Sequence, residues 1–218
     1  MMKYDKKIGR AIKLLSDLFK NHTFIDFIKT IKTAIFRNDL IYVFAIDTDA
    51  LIQNGSGNSL HGIDAEHGVV IKKGDINELN DFCNRTGENA WEFKCYKYDG
   101  VKDFFIARDA NTIRCITWIY RKDDFNRFLI MGEEDALLQY GLTLPQYRGQ
   151  RLLPAVLQAI AKYLKNQGCK KVYGLIECRN DASIKSTTRA GFVKVGQMRL
   201  IKIFGIQISR KLDVSKIS

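Results

Sequence analysis

The chain has 218 residues and a formal net charge of +11, from 35 Lys and Arg against 24 Asp and Glu. A hydrophobic content of 46% with 27% charged residues is typical of a soluble globular protein and excludes a low-complexity chain. The five cysteines are odd in number and not closely paired, which indicates reduced thiols and excludes a disulfide framework or zinc site. No signal-peptide pattern or apolar run of membrane-spanning length is present, so we expect a cytoplasmic protein.

Residues 1–38 predict a basic amphipathic helical arm. Nine basic residues against three acidic ones give residues 1–37 a charge of +6. Apolar side chains recur there at helical spacing, and the break at 21–23 separates two helices, with Thr23 able to cap the second. Such a segment fits peripheral contact with an anionic membrane, binding to a partner, or packing on its own domain, and these alternatives stay open. Aromatic residues do not alternate with the basic ones, which speaks against nucleic acid.

Residues 39–218 predict one α/β domain. Strands are indicated by β-branched and aromatic residues, and helices by apolar spacing with a capping residue. The first predicted elements are a strand at 39–47, a glycine-rich loop at 53–62, a strand at 69–72, a helix at 75–82 capped by Gly74 or Asp75, and a hairpin of strands 102–108 and 112–120. The secondary structure of residues 89–98 is ambiguous. His61 and His67 stand in a polar loop, and we predict no metal site.

The only two prolines of the chain, Pro145 and Pro154, bracket its most informative turn. The β-type run at 138–144 ends at Pro145 because proline cannot continue a ladder. An amphipathic helix follows, in which Pro154 fits the first turn and Gly168 marks the end.

The start of this helix is a candidate anion site. The first amides of a helix have no internal partner, and the helix dipole favours negative charge beside them. Gly149 permits close backbone approach, and Arg148, Gln150 and Arg151 add donors. The pattern predicts a phosphate or pyrophosphate site, although an ordinary connection between a strand and a helix has the same appearance.

A set of residues in fixed order extends from this turn to a second region. A predicted strand at 171–178 is followed by Asn180, Ser183, Ile184, Gly191 and Phe192, and two further strands are predicted over 193–209. Together with Pro145, Tyr147, Arg148 and Gly149, this order resembles the GNAT acetyltransferase superfamily over about residues 137–192. The resemblance implies an α/β (α+β) GNAT fold, with a mixed, mostly antiparallel central sheet flanked by helices and an N-terminal helical extension.

The resemblance also implies an activity, the direct transfer of an acetyl group from acetyl-CoA to a primary amine of an unidentified acceptor. No metal is implied. Residues implied to bind the CoA thioester are Leu142, Thr143, Leu144, Arg148, Gly149, Gln150, Arg151, Leu152, Leu153, Asn180, Ser183 and Thr187. The candidate catalytic residues are Tyr140, Glu134 and Ser183. Among them, Tyr140 would position the acceptor and Glu134, or alternatively Glu177, would relay a proton through water.

Three residues depart from the family pattern. Arg151 and Leu153 replace small residues of the phosphate-binding turn, and Thr187 stands where many members carry a tyrosine that protonates the leaving thiolate. Ser183, Ser186 or a water could take that role, or the thiolate could leave without much help. These departures leave two alternatives open: a degenerate GNAT domain that serves as a CoA-binding or partner-binding scaffold, and an acyltransferase that uses a longer acyl-CoA. Oligomeric state and acceptor are not indicated by the sequence.

Overall fold

The computed structural model describes residues 36–49, 62–64, 68–126, 128–203 and 206–217. Its strands are β1 Phe36–Asp47, β2 Gly62–Asp64, β3 Val69–Lys73, β4 Phe104–Arg108, β5 Ile113–Tyr120, β6 Leu129–Ile130, β7 Asp135–Thr143, β8 Lys171–Glu177, β9 Val193–Ile203, β10 Ile206–Gln207 and β11 Leu212–Asp213. Its α-helices are α1 Ile76–Thr86, α2 Cys95–Tyr98, α3 Leu152–Asn166 and α4 Asp181–Arg189. Short 3-10 helices cover Trp91–Lys94, Pro145–Tyr147 and Val214–Lys216.

Nine of these strands form one mixed sheet in the order β10-β9-β1-β8-β7-β5-β4-β3-β2. The segment from β2 to β7 is antiparallel throughout, whereas β7 and β8 are parallel. A parallel pair needs a crossover connection, and α3 supplies it. β11 and β6 form a separate parallel pair. The predicted fold class is therefore confirmed: an α/β architecture with a mostly antiparallel sheet and flanking helices.

Helix α3 packs its apolar stripe on the sheet. Leu152, Val156, Ile160 and Leu164 are at most 1% exposed and belong to one hydrophobic core. Their regular spacing of four residues places them on one helix face. Complete burial of a leucine or isoleucine side chain contributes about 1.5–3 kcal/mol, so this stripe fixes α3, and the turn before it, against the strands.

Most predicted elements between residues 69 and 209 are confirmed, with shifted ends. The structure assigns the α1 cap to Asp75, whose Oδ1 accepts hydrogen bonds from the amides of Asn77 and Glu78 at 2.8 and 3.1 Å. The ambiguous segment 89–98 is a 3-10 turn followed by one helical turn. The sequence reasoning did not identify β6, β11 or the helical character of α4. Among the described residues, none of the helices combines the length and apolar character needed to span a bilayer.

Strand β1 takes a position that its place in the chain does not suggest. It pairs antiparallel with β8, from Ile41↔Glu177 to Asp47↔Lys171, and is also the neighbour of β9. The chain divides into two compact units, one of Met1–Asp39 with Arg199–Ser209 and one of Leu40–Met198 with Arg210–Ser218. Most of the predicted arm, together with His61 and His67, lies outside the described residues, so the division into 1–38 and 39–218 stays a prediction.

Candidate functional site

A β-bulge interrupts β7 near its end. Trp118 of β5 pairs with Gln139 and Ile116 pairs with Leu142, so Tyr140 and Gly141 together oppose the single residue Thr117. Tyr140 has φ 56°, a left-handed conformation that is uncommon for a residue with a side chain. Bulges bend a strand and redirect its side chains. Here the bulge turns the end of β7 away from the regular ladder.

The parallel strands β7 and β8 separate at the same level. Their pairing begins at Asp135↔Lys171 and its last pair is Leu138↔Gly174, although both strands continue for at least three more residues. Two neighbouring cavities open where they part, of about 410 and 360 Å³. Both are lined by Glu92, Gly141, Leu153, Asn180 and Ser183. These shared residues mark the junction of one continuous site.

The larger cavity, here called the turn cavity, lies at the N-terminus of α3. In addition to the shared residues, it is lined by Leu142, Thr143, Tyr147, Arg148, Gly149, Arg151, Leu152, Pro154, Ala182 and Ser186. Gly149 has φ 85° and Arg151 has φ 56°, so the backbone makes a tight turn into the helix. No side chain caps the first turn of α3, and that turn contains no acidic residue. Two arginines and open helix amides therefore face one cavity, which suits a phosphate-bearing ligand.

Two contacts hold the basic turn in place. The guanidinium of Arg114 lies 4.7 Å from the centre of the Tyr147 ring. Arg148 Nε donates a hydrogen bond to the carbonyl oxygen of Thr143 at 3.4 Å, which leaves its terminal nitrogens at the rim of the turn cavity. Gln150 points elsewhere: it does not line the cavity, and its side-chain oxygen is buried without a hydrogen-bond partner.

Helix α4 contributes the opposite wall. Asn180 caps it, because Asn180 Oδ1 accepts a hydrogen bond from the Ser183 amide at 3.1 Å. Asparagine is a preferred capping residue, and the cap fixes the position of Ser183 one turn into the helix. Thr187 follows one turn later, is buried, and lines the second cavity. Asn180, Ser183 and Thr187 thus lie along one side of the site.

The second cavity, here called the bulge cavity, has an aromatic wall. The ring of Trp91 meets that of Tyr140 edge-on with centroids 4.3 Å apart, and Tyr140 meets Tyr120 in the same way at 5.9 Å. Tyr120 donates a hydrogen bond from its hydroxyl to Asp99 Oδ2 at 2.9 Å. Burial, with the Asp99 carboxylate next in importance, raises the pKa of Tyr120 far above its ordinary value. Tyr120 therefore stays a neutral donor that supports Tyr140.

Two carboxylates line the bulge cavity, Glu92 and Glu177. Of these, Glu92 also lines the turn cavity, which makes it the carboxylate shared by both cavities within the described residues. Its backbone oxygen accepts a hydrogen bond from Trp118 Nε1 at 2.6 Å, so the residue is anchored to β5 while its side chain remains half-buried. Sequence reasoning missed Glu92 because it lies in the ambiguous segment 89–98. The aromatic residues on both sides of it, Trp91 and Phe93, are the signal that could have drawn attention to it.

The floor of the bulge cavity contains an unsatisfied hydroxyl. Thr117 is 1% exposed, and its Oγ1 has no hydrogen-bond partner. A Cβ atom built on Gly141 would lie 3.3 Å from this oxygen and 3.2 Å from Leu153 Cδ1. A buried hydroxyl without a partner is unfavourable, and a ligand or a water in the bulge could satisfy it. The absence of a side chain at Gly141 keeps this space open.

The structure brings most of the predicted site residues together. Leu142, Thr143, Arg148, Gly149, Arg151, Leu152, Leu153, Asn180 and Ser183 line the turn cavity, and Tyr140 and Thr187 line the bulge cavity. Three predicted residues lie elsewhere. Leu144 is buried beneath the turn, and Gln150 does not face the cavity.

Glu134 is the third, and it lies at the far end of β7. It forms an ion pair with Lys170 at 2.7 Å, is 56% exposed, and precedes the first strand residue, Asp135. Tyr140 lies six positions further along the chain, on the order of 20 Å away at the usual rise per strand residue. Proximity in sequence to the central strand was therefore a poor guide to its position.

The sequence matches no family model and no curated protein. Solved structures resemble the fold. A GNAT-family acetyltransferase from Colwellia psychrerythraea is 17% identical with a TM-score of 0.52, and the match covers 77% of this chain and 56% of the other. A GCN5-related N-acetyltransferase from Sphaerobacter thermophilus is 13% identical with a TM-score of 0.50, covering 86% and 58%. The protein has the GNAT fold. This chain spans less than two thirds of the length of either structure.

A third GNAT-fold structure shows that the architecture also occurs within larger proteins. It is the GCN5-related glucosamine N-acetyltransferase region of a fungal multi-domain β-N-acetylglucosaminidase, 16% identical with a TM-score of 0.51. The match covers 76% of this chain and 21% of that one. At such identities the likeness concerns the fold, and the chemistry of this chain has to be argued from its own residues.

Proposed function

We propose that the protein transfers an acetyl group from acetyl-CoA to a primary amine. The observation that carries the proposal is the junction at the β7 bulge, where a cavity with an open helix N-terminus and two arginines meets a second cavity that contains carboxylates. The first suits the phosphates of a CoA thioester, and the second suits a cationic amine. Their common wall is where thioester and amine would react.

The turn cavity contains groups suited to each part of the thioester. The backbone at Gly149 and the first turn of α3 would bind the pyrophosphate, with Arg148 and Arg151 pairing with phosphate oxygens. Leu142 and Thr143 would lie along the pantetheine arm where β7 has left β8. Asn180 and Ser183 would face the thioester from the other side. In the bulge, a backbone amide of β7 would stabilise charge that develops on the carbonyl oxygen.

The reaction needs a group that accepts a proton, because a primary amine is mostly protonated at neutral pH. Glu92 is suited to this task, since it lines both cavities, whereas Glu134 is remote. The amine nitrogen would form its bond to the acetyl carbon as the carbon–sulfur bond breaks, and the amine proton would pass to Glu92 directly or through water. Ser183 or water would protonate the leaving thiolate, because Thr187 replaces the tyrosine of the family pattern.

Titration calorimetry with acetyl-CoA, free CoA and a long-chain acyl-CoA tests the donor. Saturable binding with preference for acetyl-CoA supports the proposal, and preference for the long chain would favour the alternative donor. If none of the three ligands binds, the result would favour a scaffold without an acyl-CoA substrate. Each outcome then directs the search for an acceptor amine or for a partner.

Two matched variants test the assignment of the proton acceptor. Glu92→Gln should lower kcat at least tenfold with an amine acceptor while the Kd for acetyl-CoA stays within twofold, since the change removes a base and keeps the shape. Glu134→Gln removes the same charge from the remote end of β7 and should leave both quantities unchanged. Loss of activity in Glu134→Gln and retention in Glu92→Gln would reverse the assignment.

A further inference from the structure

The hairpin of β9 and β10 presents four isoleucines on one face. Ile206 pairs with Ile203, and the amide of Ile208 donates a hydrogen bond to the carbonyl oxygen of Ile201 at 3.0 Å. Directly paired residues lie on the same side of a sheet, and side chains two apart along a strand share a side. Ile201, Ile203, Ile206 and Ile208 therefore share one side, here called the isoleucine face.

The isoleucine face is open to solvent. Ile203, Ile206 and Ile208 are 37%, 69% and 54% exposed, and Phe36 of the same compact unit is 47% exposed. Among the strands that the structure describes, β10 is the last in the sheet order, so this face borders the edge of the described sheet. Large exposed β-branched residues at a sheet edge promote association, and proteins usually protect such edges with charges or a covering segment. Such a cluster therefore indicates a binding surface.

Positive charge is concentrated in the same unit. Residues 1–39 contain nine basic and four acidic residues, and residues 199–209 contain Arg199 and Lys202 with no acidic residue. The sum is eleven minus four, or +7 of the +11 carried by the whole chain. The unit thus combines exposed aliphatic side chains with a large excess of cationic ones, and an anionic partner that also has an apolar phase would complement both.

We propose that the isoleucine face binds the surface of an anionic phospholipid bilayer. Aliphatic side chains would enter the region between headgroups and acyl chains, while the exposed Arg199, two residues before Ile201 and therefore on the same side of β9, would contact lipid phosphates. A second copy of the chain carries the same +7 and would repel the first. A nucleic acid would use the cations and leave the isoleucines without a partner. An anionic bilayer would contact both the isoleucines and the positive charges. This assignment is independent of the acetyltransferase proposal.

Vesicle flotation with the full chain tests this assignment. The probes are vesicles of phosphatidylcholine alone and of phosphatidylcholine with 30% phosphatidylglycerol. We expect binding to the anionic vesicles only, because each basic residue near the surface strengthens binding on the order of fivefold. Added salt should weaken this binding, because it screens the attraction between the basic residues and the anionic lipids. Ile206→Asp and Ile208→Asp should each reduce binding at least tenfold. Val193→Asp is the matched control, since Val193 is 63% exposed at the opposite end of β9, and it should bind like the unmodified protein.

Other outcomes would overturn the proposal. Absence of binding to anionic vesicles, or equal binding by the Ile206→Asp and Ile208→Asp variants, would remove its basis. A concentration-dependent dimer that Ile206→Asp abolishes, without vesicle binding, would assign the face to a second copy. Binding of duplex RNA without vesicle binding would assign the charge to nucleic acid. Thermal unfolding checks the folding of the variants. Arg199→Glu, which should weaken vesicle binding at least fivefold, gives a second readout if an aspartate variant is unstable.

Discussion

Reversal of charge at Arg148 tests the turn cavity most directly. Arg148 is exposed at the cavity rim and is positioned by its hydrogen bond to Thr143. A pair of unit charges about 4 Å apart contributes about 1 kcal/mol in bulk water and about 4 kcal/mol at an effective dielectric constant near 20. The lower figure suits an exposed side chain. Because Arg148→Glu replaces attraction by repulsion, the effect doubles to about 2 kcal/mol, or an increase in the Kd for acetyl-CoA of roughly thirtyfold.

Calorimetric titration at 0.05 and 0.3 M salt measures this effect. The difference between Arg148→Glu and the unmodified protein should shrink at the higher salt, because screening shortens the range of exposed charges. Arg210→Glu makes the same charge change at an exposed position that lines neither cavity, and it should leave the Kd within twofold. Equal weakening by both variants would show that only overall charge matters. An unchanged Kd for Arg148→Glu would refute the assignment of this turn to phosphate.

Three further predictions concern stability and thiol reactivity. Gly74→Ala should lower the free energy of unfolding, measured by urea titration, by about 1–3 kcal/mol, because the added Cβ would lie 2.0 Å from the ring of the fully buried Phe104. Gly174→Ala is the control, because a Cβ at that position meets no atom within 4 Å. Burial raises the pKa of Asp109, but the amides of Asn111 and Thr112 and the Arg114 guanidinium outweigh burial and lower it. Asp109→Asn should therefore destabilise the protein at neutral pH. Its difference from the unmodified protein should begin to shrink as pH falls below about 4 and should disappear only below the lowered pKa of Asp109 in the folded protein; a constant difference would contradict this. Burial raises the pKa of the Cys115 thiol to about 12 and shields it from reagents. A disulfide reagent at pH 8 should therefore modify the half-buried Cys178 long before Cys115, which mass spectrometry of the labelled peptides would measure.

The turn before α3 could be predicted because its determinants are local. Pro145 ends β7, Pro154 lies in the first turn of α3, and Gly168 follows the helix with φ 80°. Proline and glycine each have characteristic backbone conformations, so their effect on the chain can be inferred from residue type alone. The apolar spacing of α3 was equally visible, and its burial against the sheet is confirmed.

The composition of the site could be predicted only in part, because its walls come from distant segments. Glu92 reaches the junction through the anchoring of its backbone to Trp118, a contact between residues 26 positions apart that no local pattern reveals. Glu134 looked suitable because it precedes the central strand, yet the direction of β7 places it at the opposite end. The hydroxyl of Thr117 enters the site because of a register shift, which depends on the pairing of two strands.

The position of β1 has a consequence for synthesis of the protein. Its partner β8 lies much further along the chain: the paired residues are 124 positions apart at Asp47↔Lys171 and 136 positions apart at Ile41↔Glu177. At roughly 5–20 residues per second, a ribosome needs on the order of ten seconds to produce β8 after β1. During that time the apolar run from Val43 to Ile46, buried in the finished sheet, has no partner strand. The nascent chain therefore exposes a strand prone to aggregation, and its yield should depend on chaperones that bind emerging apolar segments.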